Sequence, residues 1–124
     1  MAKKRILIVD DNKRERELIA TYLERHDFDV CEAGDGEEAL KRLDESESID
    51  LIILDIRMEP MDGVEFKNEL KKKNISYPIV VLTAYGNDKK YRKAFTEYPI
   101  VNRPIMNFNL FMEEIEKELR RGVE

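Results

Sequence analysis

The sequence predicts an α/β fold, a doubly wound parallel sheet of five strands with helices on both faces. Three observations predict it. Short runs of branched apolar residues without alternation, such as Ile6-Leu7-Ile8-Val9, Leu51-Ile52-Ile53-Leu54 and Ile79-Val80-Val81-Leu82, read as strands covered on both sides, the habit of parallel sheets. Between these runs, apolar residues recur at helical spacing. Strand-like and helix-like segments alternate at ordinary connection lengths, with no internal repeat, linker or low-complexity tract, so residues 1–124 are expected to form one domain.

The elements follow in order. Residues 6–9 form the first strand and close on Asp10-Asp11-Asn12. From Arg14 the period changes: Leu18, Ile19, Tyr22 and Leu23 mark a helix to about His26, with Asn12 or Asp11 able to cap its start. Phe28, Val30 and Ala33 suggest a second strand, and Gly34-Asp35-Gly36 a turn. A short helix over 37–43 turns Ala39, Leu40 and Leu43 inward, and the acids around Ser46 and Ser48 form a loop. The third strand, 51–55, ends on Asp55. Asp62-Gly63 opens a third helix with Val64, Phe66 and Leu70 on its apolar face, and Lys71-Lys72-Lys73 suit its C-terminal dipole. Residues 78–83 are the fourth strand, 91–95 a weak helix and 100–102 a short fifth strand stopped by Arg103-Pro104. Phe108, Phe111, Ile115 and Leu119 mark a final helix to about Arg121.

Composition narrows the function classes. At 42% hydrophobic and 40% charged, the chain is a globule with a heavily charged surface. A net charge of −5, with Lys and Arg mixed among the acids, argues against nucleic acid as the main partner. The single cysteine, Cys31, excludes an internal disulfide and a cysteine metal cluster, and is expected to be a small packed side chain. The apolar runs are too short to span a bilayer, and 6–9 is too short for a signal peptide, so a cytoplasmic location is expected.

In open parallel sheets, ligands sit beyond the carboxyl ends of the strands. Asp10 and Asp11 follow the first strand, Asp55 ends the third, Thr83 ends the fourth and Arg103 follows the fifth. Three carboxylates, a hydroxyl and a cation therefore converge from distant parts of the chain. Carboxylates packed together repel one another and raise each other's pKa unless a cation joins them. Oxygen ligands without His or Cys suit a hard ion such as Mg2+. A divalent ion beside a carboxylate, a hydroxyl and a guanidinium is also equipment for phosphoryl transfer, in which a carboxylate can itself be the nucleophile.

Val9-Asp10-Asp11-Asn12, Leu54-Asp55, Met58, Met61-Asp62-Gly63, Leu82-Thr83-Ala84 and Arg103-Pro104 together resemble the response regulator receiver domains of two-component signalling, the CheY-like family. The resemblance runs over essentially the whole chain, in the same order and at near-family spacing. It implies strand order 2-1-3-4-5 and phosphorylation of Asp55 by a histidine kinase or a phosphotransfer protein. It implies further that Asp11 and Asp55 bind Mg2+ directly, that Asp10 contributes through water, and that the backbone carbonyl of Arg57 completes the protein ligands. Thr83 would bond the phosphoryl group, Arg103 would contact it, and the peptide before Pro104 would be cis. Such a domain catalyses only its own phosphorylation and dephosphorylation and is otherwise not an enzyme. Its partner, a downstream protein or a second copy, would dock on the face of the fourth helix, fifth strand and last helix, near Tyr91, Tyr98, Ile100 and Phe108.

Three positions depart from the family pattern. Arg103 stands where a lysine is usual, replacing a compact ammonium by a planar fork on a longer arm. Ile100 stands where an aromatic residue usually couples to the threonine, and Met58-Glu59-Pro60 shifts the usual proline by one. Arg57 and Tyr85, each two positions after a site residue, are both large and are expected to shield the acyl phosphate from water. Two other readings compete: a receiver-like module that signals without phosphorylation, and a small phosphatase working through an aspartyl phosphate. The phosphatase needs a second acid two residues after the nucleophile, and Asp55-Ile56-Arg57 and Asp10-Asp11-Asn12 both lack it.

Overall fold

The computed structural model describes residues 3–45, 48–56, 61–84 and 89–121. In chain order the elements are β1 (Arg5–Val9), α1 (Lys13–Arg25), β2 (Asp29–Ala33), α2 (Gly36–Asp44), β3 (Leu51–Asp55), α3 (Gly63–Lys72), β4 (Ile79–Thr83), α4 (Lys89–Ala94), β5 (Ile100–Asn102) and α5 (Phe108–Arg121). The strands form one parallel sheet in the order β2-β1-β3-β4-β5, as the resemblance implies.

Each strand side chain goes to the face opposite its neighbour's, so the unbroken apolar runs divide into two cores. Leu7, Val9, Ile52, Leu54 and Val81 pack with Phe66, Leu70 and Phe95 on the face of α2, α3 and α4. Ile6, Ile8, Leu51, Ile53, Val80 and Leu82 pack with Ile19, Leu23, Phe111 and Ile115 on the face of α1 and α5. All residues of β3 and β4 are buried, which explains why those strands carry no alternation.

Four helices start on capping side chains; at α5 the Leu110 amide donates to Asn107 Oδ1 at 3.1 Å. Asn12, Asp35 and Asp62 accept hydrogen bonds from the amides of Glu15, Glu38 and Glu65, at 3.0, 2.8 and 2.9 Å. Helices α1 and α3 end on Asp27 and Asn74, held at positive φ (71° and 56°). There the amides of Phe28 and Ile75 reach back to the carbonyls of Leu23 and Leu70.

Two details differ from the sequence expectation. Leu18 is 61% exposed: the inward stripe of α1 is centred on Ile19 and Leu23, and Leu18 stands one step off it, on the flank toward α5. The Phe108 ring lies 4.5 Å from that of Tyr22, and the Tyr22 hydroxyl donates to the Phe108 carbonyl at 3.2 Å. Phe108 therefore belongs to the seam between α1 and α5, and the exposed apolar residues beside β5 are Met106 and Leu110 instead. Tyr98, by contrast, packs against the core face of α3 and α4, and Ile100 joins it.

Candidate functional site

Parallel order brings the carboxyl ends of β1, β3, β4 and β5 to one edge of the sheet, and the site is built there. Asp10 directly follows β1 and is 1% exposed, its amide bonded to the Ala33 carbonyl of β2 at 3.1 Å. Asp55, the last residue of β3, is 2% exposed, and Thr83, the last of β4, is fully buried. One carboxylate oxygen from each of Asp10, Asp11 and Asp55 lies within 4.8 Å of the others, with Asp11 open to solvent. The main-chain amide of Arg103 donates to the Thr83 carbonyl at 3.0 Å, tying the end of β5 to the end of β4. From there Arg103 reaches back, and its Nη1 donates to Asp55 Oδ2 at 3.0 Å. The Arg103-Pro104 peptide is cis.

The donor set fits a hard divalent cation. Asp10 Oδ1 accepts from the Asn12 amide at 2.9 Å, but the buried Oδ2 has no hydrogen-bond donor among the described residues. Burial raises the Asp10 carboxyl above the ordinary aspartate range; the Asn12 amide and Arg103 oppose this, and Asp11 adds to it. Asp55, an acceptor when ionised, can donate to Asp10 only if it is itself protonated. A cation removes the need. Among the described residues this is the group of acids close enough together to hold an ion.

The sequence reading missed two members of the site. Glu15, in the first turn of α1, accepts from Arg103 Nη2, so the guanidinium bridges Glu15 and Asp55. Burial raises the Glu15 carboxyl, as does the charge of Asp10, with Arg103 pulling it back. Arg16 donates through Nη1 to the Asp10 carbonyl at 2.6 Å and through Nε to Glu32 at 2.9 Å, fixing the loop after β1. Arg57, Tyr85 and the loop Met58-Glu59-Pro60 lie outside the described residues, as does the side chain of Tyr91.

The position of Gly63 explains the Met61-Asp62-Gly63 signal. A Cβ on Gly63 would fall 2.8 Å from Ile56 Cα and 3.1 Å from the Asp55 carbonyl oxygen. Only glycine lets α3 begin that close to the strand end bearing Asp55.

A five-stranded 2-1-3-4-5 parallel sheet with an acidic cluster and a paired aspartate at its carboxyl edge defines a class of signalling domains. The chain belongs to the response regulator receiver domain family, whose model matches residues 6–99. It is 42% identical over 90 residues to the alkaline phosphatase synthesis transcriptional regulatory protein PhoP of Bacillus subtilis, covering 73% of this chain and 36% of PhoP. It is 32% identical over 120 residues to a cyclic di-GMP phosphodiesterase of Thermotoga maritima, covering 95% of this chain and 32% of that protein. The chain thus spans about a third of the length of these curated relatives. Among solved structures it is similar to the response regulator TrrA of Thermotoga maritima in complex with Mg2+-BeF, with a TM-score of 0.79 and 36% identity, over 93% of this chain and 98% of TrrA. No helix among the described residues is long and apolar enough to cross a membrane.

Proposed function

We propose that the chain is a phosphoacceptor: a histidine kinase or phosphotransfer protein donates a phosphoryl group to Asp55 in the presence of Mg2+, and the modified domain changes its affinity for a partner. The observation that carries this reading is the gathering of the Asp10, Asp11 and Asp55 oxygens within 4.8 Å, with an Arg103 nitrogen on Asp55 itself. Asp11 and Asp55 would hold the ion directly, Asp10 through water, and the Arg57 carbonyl would add a ligand. When bound, Mg2+ neutralises charge on the phosphoryl oxygens and relieves the repulsion among the acids.

The chain's own residues supply the rest. One Asp55 oxygen forms the bond to phosphorus while the bond from phosphorus to the donor imidazole nitrogen breaks. The electron pair leaves on that nitrogen, which takes up a proton. Arg103 brings a fixed positive charge to the same oxygens through Nη1, its other arm being on Glu15, and the Thr83 hydroxyl is a donor for one of them. Arg57 and Tyr85 would screen the acyl phosphate from water. The role is regulatory, with catalysis limited to the domain's own phosphorylation and dephosphorylation.

The domain is proposed to run over 1–124, because Phe111 and Ile115 of α5, beyond the matched residues, close the second core. A cytoplasmic location is proposed with it. The partner face is proposed at α4, β5 and α5, where Ile100 with exposed Met106 and Leu110 borders a shallow apolar groove of about 480 Å3. Nucleic acid and membrane are not proposed as direct partners of this domain.

Titration with Mg2+ and beryllofluoride, a phosphoryl mimic, followed by amide NMR, tests the switching. Shifts at Asp55, Thr83 and Arg103 that extend to Met106 and Leu110 support it. Shifts confined to the pocket would leave a module disconnected from its partner face, the outcome that Arg103 and Ile100 in place of the usual lysine and aromatic residue would favour.

A further inference from the structure

We propose that Glu15 is a positioning residue for phosphoryl transfer: it holds one arm of the Arg103 guanidinium so that the other stays on Asp55. The inference rests on the phosphoacceptor reading above. It explains how an arginine occupies a place where a compact ammonium would otherwise serve.

The geometry carries the argument. A guanidinium presents its donors in a rigid fork, so orienting one arm fixes the other. Here Nη1 is on Asp55 Oδ2 and Nη2 on Glu15 Oε2, with the Arg103 side chain only 22% exposed and Glu15 23%. Without an acceptor on Nη2, one charge-assisted hydrogen bond alone has to hold a long side chain with several rotatable bonds at Asp55. An ammonium has no second arm and needs no second acceptor.

The usual local task of a glutamate at this position is already taken. A glutamate three residues after a cap commonly reaches back to the cap's own amide. The Asn12 amide, however, is donated to Asp10 Oδ1. The cap instead holds Glu15 by its main chain, since Asn12 Oδ1 accepts from the Glu15 amide. The side chain is left to cross to a residue 88 positions away. A further carboxylate beside Asp10 adds to the repulsion in an acidic pocket: burial first, and then the Asp10 charge, raise the Glu15 carboxyl. Its orientation of Arg103 is what offsets that cost.

The test is a double-mutant cycle on the full chain with Glu15→Ala, which removes the acceptor, Arg103→Lys and the double variant. Phosphorylation by acetyl phosphate at saturating Mg2+ is followed by intact mass. Independently of metal and activity, the rotation of the Arg103 guanidinium is read by 15N NMR in the metal-free protein. Glu15→Ala is expected to slow phosphorylation about tenfold when Arg103 is present, within the range for contacting side chains. In the Arg103→Lys background it should change the rate less than about twofold, whatever rate Arg103→Lys itself has, because the coupling runs through the fork. Guanidinium rotation should be restricted in the wild type and freed by Glu15→Ala. Unchanged rotation, or an equal slowing in both backgrounds, would overturn the positioning role. A wild type that takes up no phosphoryl group although Glu15 restricts Arg103 would instead overturn the phosphoacceptor reading and the catalytic part of this inference.

Discussion

The main-chain amide of Gly63 donates to the carbonyl of Ile56 at 2.6 Å, so the first residue of α3 rests directly on the end of β3. The contact is backbone to backbone, and it fixes the segment that delivers Asp55. Gly63→Ala would place a methyl group 2.8 Å from Ile56 Cα, where no side chain can yield. A loss of about 1–3 kcal/mol is expected, as for other overpacked sites, read as a lower urea midpoint at unchanged slope. A midpoint within error of wild type would mean that the close approach is not enforced.

Divalent cation binding should appear as stability. At Mg2+ tenfold above its dissociation constant, a single site adds about 1.4 kcal/mol, a rise of about 5 °C in Tm for a domain of this size. Asp11→Asn should abolish the shift, because it removes a charged oxygen from the cluster. Calorimetric scans with and without Mg2+ check this. An equal rise in the variant would place the ion elsewhere.

Glu118 predicts a pH dependence. It is 3% exposed, and burial raises its carboxyl above the ordinary glutamate range; Arg121 at 3.2 Å pulls it back and Glu114 adds to the rise. With the folded pKa above the unfolded one, ionised Glu118 costs stability at pH above both values, and the cost vanishes below the ordinary glutamate range. Glu118→Gln should therefore be more stable than wild type at neutral pH, with the gain shrinking to nothing in acid. Urea midpoints measured across pH decide it: a gain independent of pH would contradict the assignment.

Asp27 holds a left-handed backbone at the end of α1, and its side chain, 90% exposed, makes a loose 3.8 Å contact with Lys3. Asp27→Gly removes the steric penalty at little cost in interactions. A stabilisation of about 0.5–1 kcal/mol is expected, checked by thermal unfolding. A destabilised variant would show that the unfolded chain's gain in freedom outweighs the relieved strain.

These predictions separate what was legible in the sequence from what was not. The strands were legible because β1, β3 and β4 are covered on both faces, and each ends on or is followed directly by a polar residue that the parallel topology must carry to one edge. Asp10, Asp11, Asp55, Thr83 and Arg103 could be grouped on that logic alone. Glu15 could not, because in the sequence it is an ordinary acid in a first helical turn, and its partner lies 88 residues on. Leu18 and Phe108 were placed only roughly, since helical spacing finds a stripe but not its edges, and both sit on the flank where α1 meets α5. Met106 and Leu110 escaped notice because two exposed apolar residues around a helix start form no periodic pattern.

The central claim is that Asp55 accepts a phosphoryl group. Intact-mass spectrometry after incubation with acetyl phosphate and Mg2+, run beside Asp55→Asn, tests it most directly. A gain of one phosphoryl group is expected in the wild type and none in the variant. A wild type that stays unmodified, or a variant modified to the same extent, would contradict it.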